Sequence, residues 1–202
     1  MAVKKTLLLV VLLSALVSVL AAQSSPAAWS ARSLYVGGEP STVNPDWGCA
    51  KSSPFSCWDR QLFGVAAYAG MNSVWKQLGI EADARFFNSR GGLLSGMKEY
   101  SYIAGPSYRL IGRRSFAAYA NVLVGLGSIT LPKGYSPGQG NYFIYSPSAH
   151  VEQRITHNLN IRYEYEYQLW PGFAGKLGKH GITPSGFGVG VTYKIHPAMS
   201  RY

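Results

Sequence analysis

From Ser33 onward the chain repeats one pattern. Apolar and polar residues alternate with a period of two over about ten positions, and turn residues then interrupt. Such a period gives a strand two unlike faces, whereas a helix needs spacings of three and four. Eight segments follow it: 33–43, 62–72, 79–87, 99–110, 116–126, 142–153, 161–169 and 187–195. The seventh is the cleanest, with Ile161, Tyr163, Tyr165, Tyr167 and Leu169 alternating against Arg162, Glu164, Glu166 and Gln168. In the third, Ile80, Ala82, Ala84 and Phe86 alternate with Glu81, Asp83 and Arg85.

The connections between these segments alternate in length. Residues 44–61, 88–98, 131–141 and 171–186 are long and carry Gly, Pro or Ser, whereas 73–78, 111–115 and 154–158 are short. Long and short connections therefore fall on opposite ends of the strands. That sorting is expected of a membrane-spanning up-and-down barrel with short turns on one side and longer loops on the other. A soluble sandwich has no reason to sort its loops. The expected fold class is all-β, an eight-stranded antiparallel up-and-down transmembrane β-barrel.

Charge and aromatic content fit this reading. Only 14% of residues are charged, against 13% aromatic and 23 glycines, a balance that suits a large apolar exterior. The net charge of +10 is spread over scattered Lys and Arg with no basic helix or long run, so nucleic acid is not an expected partner. At the start, Lys4 and Lys5 precede an apolar stretch from Thr6 to Leu20, and Ala21-Ala22-Gln23 supplies a cleavable-looking site. This is the layout of a secretory leader. The expected organisation is a signal peptide over 1–22, a short lead-in over 23–32, the barrel over 33–196 and a tail over 197–202. Export places Cys49 and Cys57 in an oxidising compartment, where a disulfide stapling the first long loop is the default.

In a membrane barrel the polar face turns inward, because lipid is the solvent outside. Glu81, Asp83, Arg85, Arg109, His150, Glu152, Arg162, Glu164, Glu166 and Lys194 are accordingly expected to line the lumen as a mixed-charge network, with Thr192 beside them. Val65, Ala84, Val122, Val189 and Val191 are expected to face lipid. Tyr and Trp collect at membrane–water levels. Tyr35, Tyr68, Tyr142, Tyr167 and Trp170 are therefore expected toward the long-loop ends, and Trp75, Tyr119 and Tyr193 toward the other. Trp47 and Trp58, in the first long loop, offer a stacking surface as an alternative.

Catalytic constellations are not evident. His150, His157, His180 and His196 lack metal-ligand spacing, Gly-x-Ser-x-Gly does not occur, and Gly125-Leu126-Gly127 lacks the context of a nucleotide site. His150 and Glu152 share a face and could form an acid/base pair, but a satisfied lumen pair is the simpler reading. No catalytic, cofactor or metal site is expected.

Several stretches together resemble a known family: Leu34-Tyr35-Val36-Gly37-Gly38-Glu39, Gly79-Ile80-Glu81-Ala82-Asp83-Ala84-Arg85, Ile103-Ala104-Gly105-Pro106-Ser107-Tyr108-Arg109, Tyr163-Glu164-Tyr165-Glu166-Tyr167-Gln168 and Gly186-Phe187-Gly188-Val189-Gly190-Val191-Thr192-Tyr193. The chain resembles the small outer-membrane β-barrel family that includes the OmpA transmembrane domain and OmpX, and more closely a branch from Gram-negative soil bacteria. The resemblance spans roughly 32–196 and implies fold and outer-membrane location rather than an activity. One departure is that His196 to Tyr202 follow the last strand, where such barrels often end on an aromatic. The expected role is a structural or surface-interaction protein, monomeric, with outer-membrane lipid and an extracellular ligand of the loops as partners. The alternatives are a narrow channel for ions or small solutes and, below that, a barrel enzyme.

Overall fold

The computed structural model describes residues 33–46, 61–89, 95–131, 139–173 and 181–195. It contains β1 (Ser33–Asn44), β2 (Leu62–Trp75), β3 (Leu78–Ser89), β4 (Lys98–Gly112), β5 (Phe116–Thr130), β6 (Gln139–Arg154), β7 (Leu159–Tyr167) and β8 (Ser185–Lys194). Each strand pairs antiparallel with the next, and β1 closes on β8 through Tyr35–Lys194 and Asn44–Ser185. The result is a closed eight-stranded barrel with no free sheet edge, which is what hydrocarbon demands of a β-structure.

Several strands run past the expected bounds. β5 continues to Thr130 through Gly125-Leu126-Gly127-Ser128, and β6 begins at Gln139. Gly127 and Ser128 lie beyond the expected end of this segment, yet the β5–β6 ladder holds without a break from Phe116–Gln153 to Thr130–Gln139. β2 likewise extends to Trp75 through a register shift after Met71, leaving Lys76-Gln77 as the turn. Ser73 and Lys76 take positive φ there, a conformation that lets this short connection close.

The two faces differ in kind. Outward-pointing Val65, Ile80, Tyr102, Val122, Leu126, Tyr165, Phe187 and Val191 are exposed, whereas Glu81, Asp83, Arg85, Arg162, Glu164 and Glu166 are buried. A soluble barrel would show the reverse. Exposed apolar strands around a closed barrel form a surface for hydrocarbon.

The interior has two zones. Val43, Leu62, Phe87, Met97, Ile129, Leu131, Trp170, Phe173 and Ile182 form an apolar cluster beside the long connections, and Ile103, Leu123 and Ile144 carry it inward. The charged side chains occupy the rest.

Five aromatics depart from the expected girdles. Tyr35, Tyr68, Tyr119 and Trp170 are buried inside, and Tyr142 packs against the interior apolar cluster. Tyr35 also lies near the short-turn end, since β1 starts there. The phase of the alternation decides this: Tyr35 points with Glu39, and Tyr119 with Asn121. Glycines across the ladder make the room. Gly37 pairs with Tyr68 and Gly70 with Tyr35. A Cβ on Gly37 would lie 2.3 Å from the Tyr68 ring, and one on Gly70 would lie 2.3 Å from the Tyr35 hydroxyl. Tyr167, Trp75 and Tyr193 do face outward. The leader, the tail, Cys49, Cys57, Trp47, Trp58, His180 and His196 lie outside the described residues.

Candidate functional site: the charged lumen

β3 and β7 stand four places apart in the ring of eight, so they face each other across the lumen. Two arginines bridge that gap in opposite directions. From β3, Arg85 Nη2 reaches Asp83 Oδ2 at 2.7 Å and Glu164 Oε1 at 3.0 Å, and its Nη1 donates to Glu166. From β7, Arg162 donates Nη1 to Glu81 Oε2 at 2.7 Å, Nη2 to Glu81 Oε1 at 2.8 Å, and Nε to Glu164 Oε2 at 2.9 Å. The Glu81 contact is bidentate, a geometry the planar guanidinium is built for. Arg162 also lies over the Tyr68 ring, 4.1 Å from its centroid, adding a cation–π contact.

Neutral groups complete this network. Tyr35 Oη donates to Glu81 Oε2 at 2.6 Å, and Asn121 Nδ2 donates to Glu81 Oε1 at 2.7 Å. Asn121 also lies 3.2 Å from His150 Nδ1, and the His150 ring stacks on Tyr119 at 4.8 Å. Glu152 accepts from Asn160 Nδ2 at 2.6 Å and pairs with Lys194 at 3.2 Å. His150 thus bonds toward Asn121 and Glu152 toward Asn160 and Lys194, so the two do not form an acid/base couple. Arg109 is half-buried at the β4 register shift and makes no ion pair among the described residues. Thr192 is fully buried, 3.0 Å from the Tyr68 hydroxyl.

The charged and apolar zones are joined. Ser146 Oγ donates to Glu166, Gln168 Nε2 donates to Glu166 Oε1 at 3.1 Å, and Trp170 Nε1 donates to Gln168 Oε1 at 2.7 Å. The indole thus spans from the polar chain into the apolar cluster, where amphipathic Trp is well suited.

Glu39 and Glu99, buried at 2% and 0% exposure, belong to the same interior although the expected set omitted them. The signal was present, since Glu39 keeps phase with Tyr35 and Glu99 with Ser101. With them, seven of the chain's nine acidic residues lie inside: Glu39, Glu81, Asp83, Glu99, Glu152, Glu164 and Glu166. Among the described residues no group of three or more His, Cys, Asp or Glu is placed to hold a metal ion.

Comparison with known proteins turns on this geometry rather than on sequence. No family model matches the chain, and no curated protein matches it. Solved structures do. Neisserial surface protein A superposes with a TM-score of 0.60 at 15% identity, covering 82% of this chain and 97% of that one. The outer membrane protein OprG from Pseudomonas aeruginosa gives 0.55 at 17% identity, covering 82% and 97%. The chain has the fold of these small outer-membrane β-barrels. Identities this low carry the architecture and nothing finer.

Proposed function

We propose that the protein is a closed-lumen outer-membrane barrel with a structural or surface-interaction role, presenting its four long connections outward. The observation that carries this reading is the filled interior. Two arginines bridge opposite walls, and an apolar cluster containing Trp170, Phe173 and Ile182 stands beside the long connections. Eight strands leave an interior about wide enough for side chains to fill, and the buried ion pairs and apolar cluster support a closed lumen. A leader over 1–22 directs export, and a Cys49–Cys57 disulfide staples the first long connection. The barrel acts as a monomer in lipid, without a cofactor or catalytic centre, and its loops meet an extracellular ligand.

Planar-bilayer recording of the purified, refolded protein tests this against the narrow-channel alternative. A closed lumen gives no steps above the bare bilayer, and Arg85→Ala combined with Arg162→Ala creates them. Stable, uniform steps from the unaltered protein would favour the channel.

A further inference from the structure

The outer rim at the short-turn end carries a repeated pairing of apolar side chain and cation. Trp75, 67% exposed, is followed by Lys76, whose Nζ lies 5.1 Å from the indole centroid. Ile111 and Phe116 flank Arg113 and Arg114, and Ile155 follows Arg154; all are exposed. The pairing therefore recurs at each of the three short connections. No acidic side chain among the described residues answers it. The acidic residues of the strands point inward, and the exposed Asp46 stands at the opposite end. This rim is thus a ring of cations with no exposed anion among the described residues.

We infer that the rim binds the anionic headgroups of phospholipids in the leaflet at the short-turn end, so that the barrel gathers acidic lipid around its base. The inference rests on the membrane-barrel reading above. Its chemistry is complementary at two levels. Trp settles at the membrane–water boundary, as amphipathic aromatics do, and Ile and Phe extend the apolar band beside it. Lys and Arg reach past them to phosphate oxygens, Arg as a fork and Lys as a point charge. The turn side chains of Lys76, Arg113, Arg114 and Arg154 make no ion pair among the described residues, so a headgroup need not displace a partner. Lys194, by contrast, is held by Glu152 and contributes less.

The test is the relative association of spin-labelled phosphatidylglycerol and phosphatidylcholine with the folded protein in phosphatidylcholine vesicles, read from the motionally restricted fraction by electron spin resonance. A cation beside an anionic surface enriches acidic lipid about fivefold at low salt, an attraction that salt screens. The unaltered barrel should prefer phosphatidylglycerol, and the preference should weaken as salt rises. Combined Lys76→Gln, Arg113→Gln, Arg114→Gln and Arg154→Gln should bring it to near parity, whereas Lys98→Gln at the other end should leave it in place. A heat-modifiability gel confirms folding of each variant. Insertion without lipid preference, or a preference that survives the fourfold change or vanishes with Lys98→Gln, overturns the inference alone. So does loss of binding to isolated peptidoglycan in the fourfold variant with lipid preference unchanged, which gives the rim to the cell-wall polymer. Failure of the unaltered protein to insert overturns the membrane reading itself, and this inference with it.

Discussion

Replacing Arg162 by Met should destabilise the barrel by about 3–5 kcal/mol, the usual loss when one partner of a buried ion pair is removed. The guanidinium is fully buried and holds both oxygens of Glu81 as well as Glu164. Charge-assisted hydrogen bonds contribute about 1.5–3 kcal/mol each, but they share one cation and do not simply add. Most of the damage comes from the carboxylate left behind. Glu81 keeps Tyr35 and Asn121 but no cation, while Glu164 keeps Arg85. Removing Glu81 as well should relieve much of this loss. Arg162→Met with Glu81→Met should fall short of the summed single losses by about 0.5–3 kcal/mol, the range for residues in direct contact. The assay is reversible urea unfolding from lipid bilayers, with stabilities taken by linear extrapolation. A single loss below about 1 kcal/mol, typical of a solvated surface pair, would refute the reasoning. So would strict additivity.

Other consequences follow from neighbouring positions. Val191→Arg, on the outer face, should cost about 2–4 kcal/mol if the site lies near the bilayer middle, whereas Thr192→Val, one residue along, should cost about 1–3 kcal/mol by leaving the Tyr68 hydroxyl unpaired; the same unfolding assay reads both. Gly37→Ala should cost about 1–3 kcal/mol by pushing the Tyr68 ring off Arg162, and Gly38→Ala, 3.4 Å from the nearest backbone oxygen, should cost less. Thiol labelling of unreduced, unfolded protein should find Cys49 and Cys57 blocked; full labelling would remove the proposed staple.

Much of the architecture can be read from residues alone, because two simple physical constraints act on every strand. The pleat forces a period of two, and membrane topology sorts the turns; both show plainly in Ile161 to Gln168 and in the contrast between Arg113-Arg114-Ser115 and the stretch after Trp170. The inner face is harder, because its polarity changes along the barrel axis. Near the long connections it is apolar, so Phe86 and Phe87 sit side by side on opposite faces and the alternation disappears. The same phase that places Glu81 inside also places Tyr35, Tyr68 and Tyr119 there. A preference of aromatics for membrane interfaces cannot override it. Gly127 illustrates the remaining difficulty. It looks like a turn residue, yet it sits within β5 paired with Tyr142, and the position is glycine because a Cβ there would lie 2.4 Å from the Trp170 ring. That contact joins residues 43 positions apart in the chain, and no local pattern announces it.

The inversion of inside and outside is tested most directly by spin labels at Val65, Val122 and Val189, each placed as a single cysteine in a Cys49→Ser, Cys57→Ser background and reconstituted into bilayers. All three residues are exposed on the outer wall. Labels there should collide readily with oxygen, which concentrates in hydrocarbon, and be shielded from a water-soluble nickel chelate. Ready access of the chelate to all three sites would place the wall in water and contradict the membrane barrel.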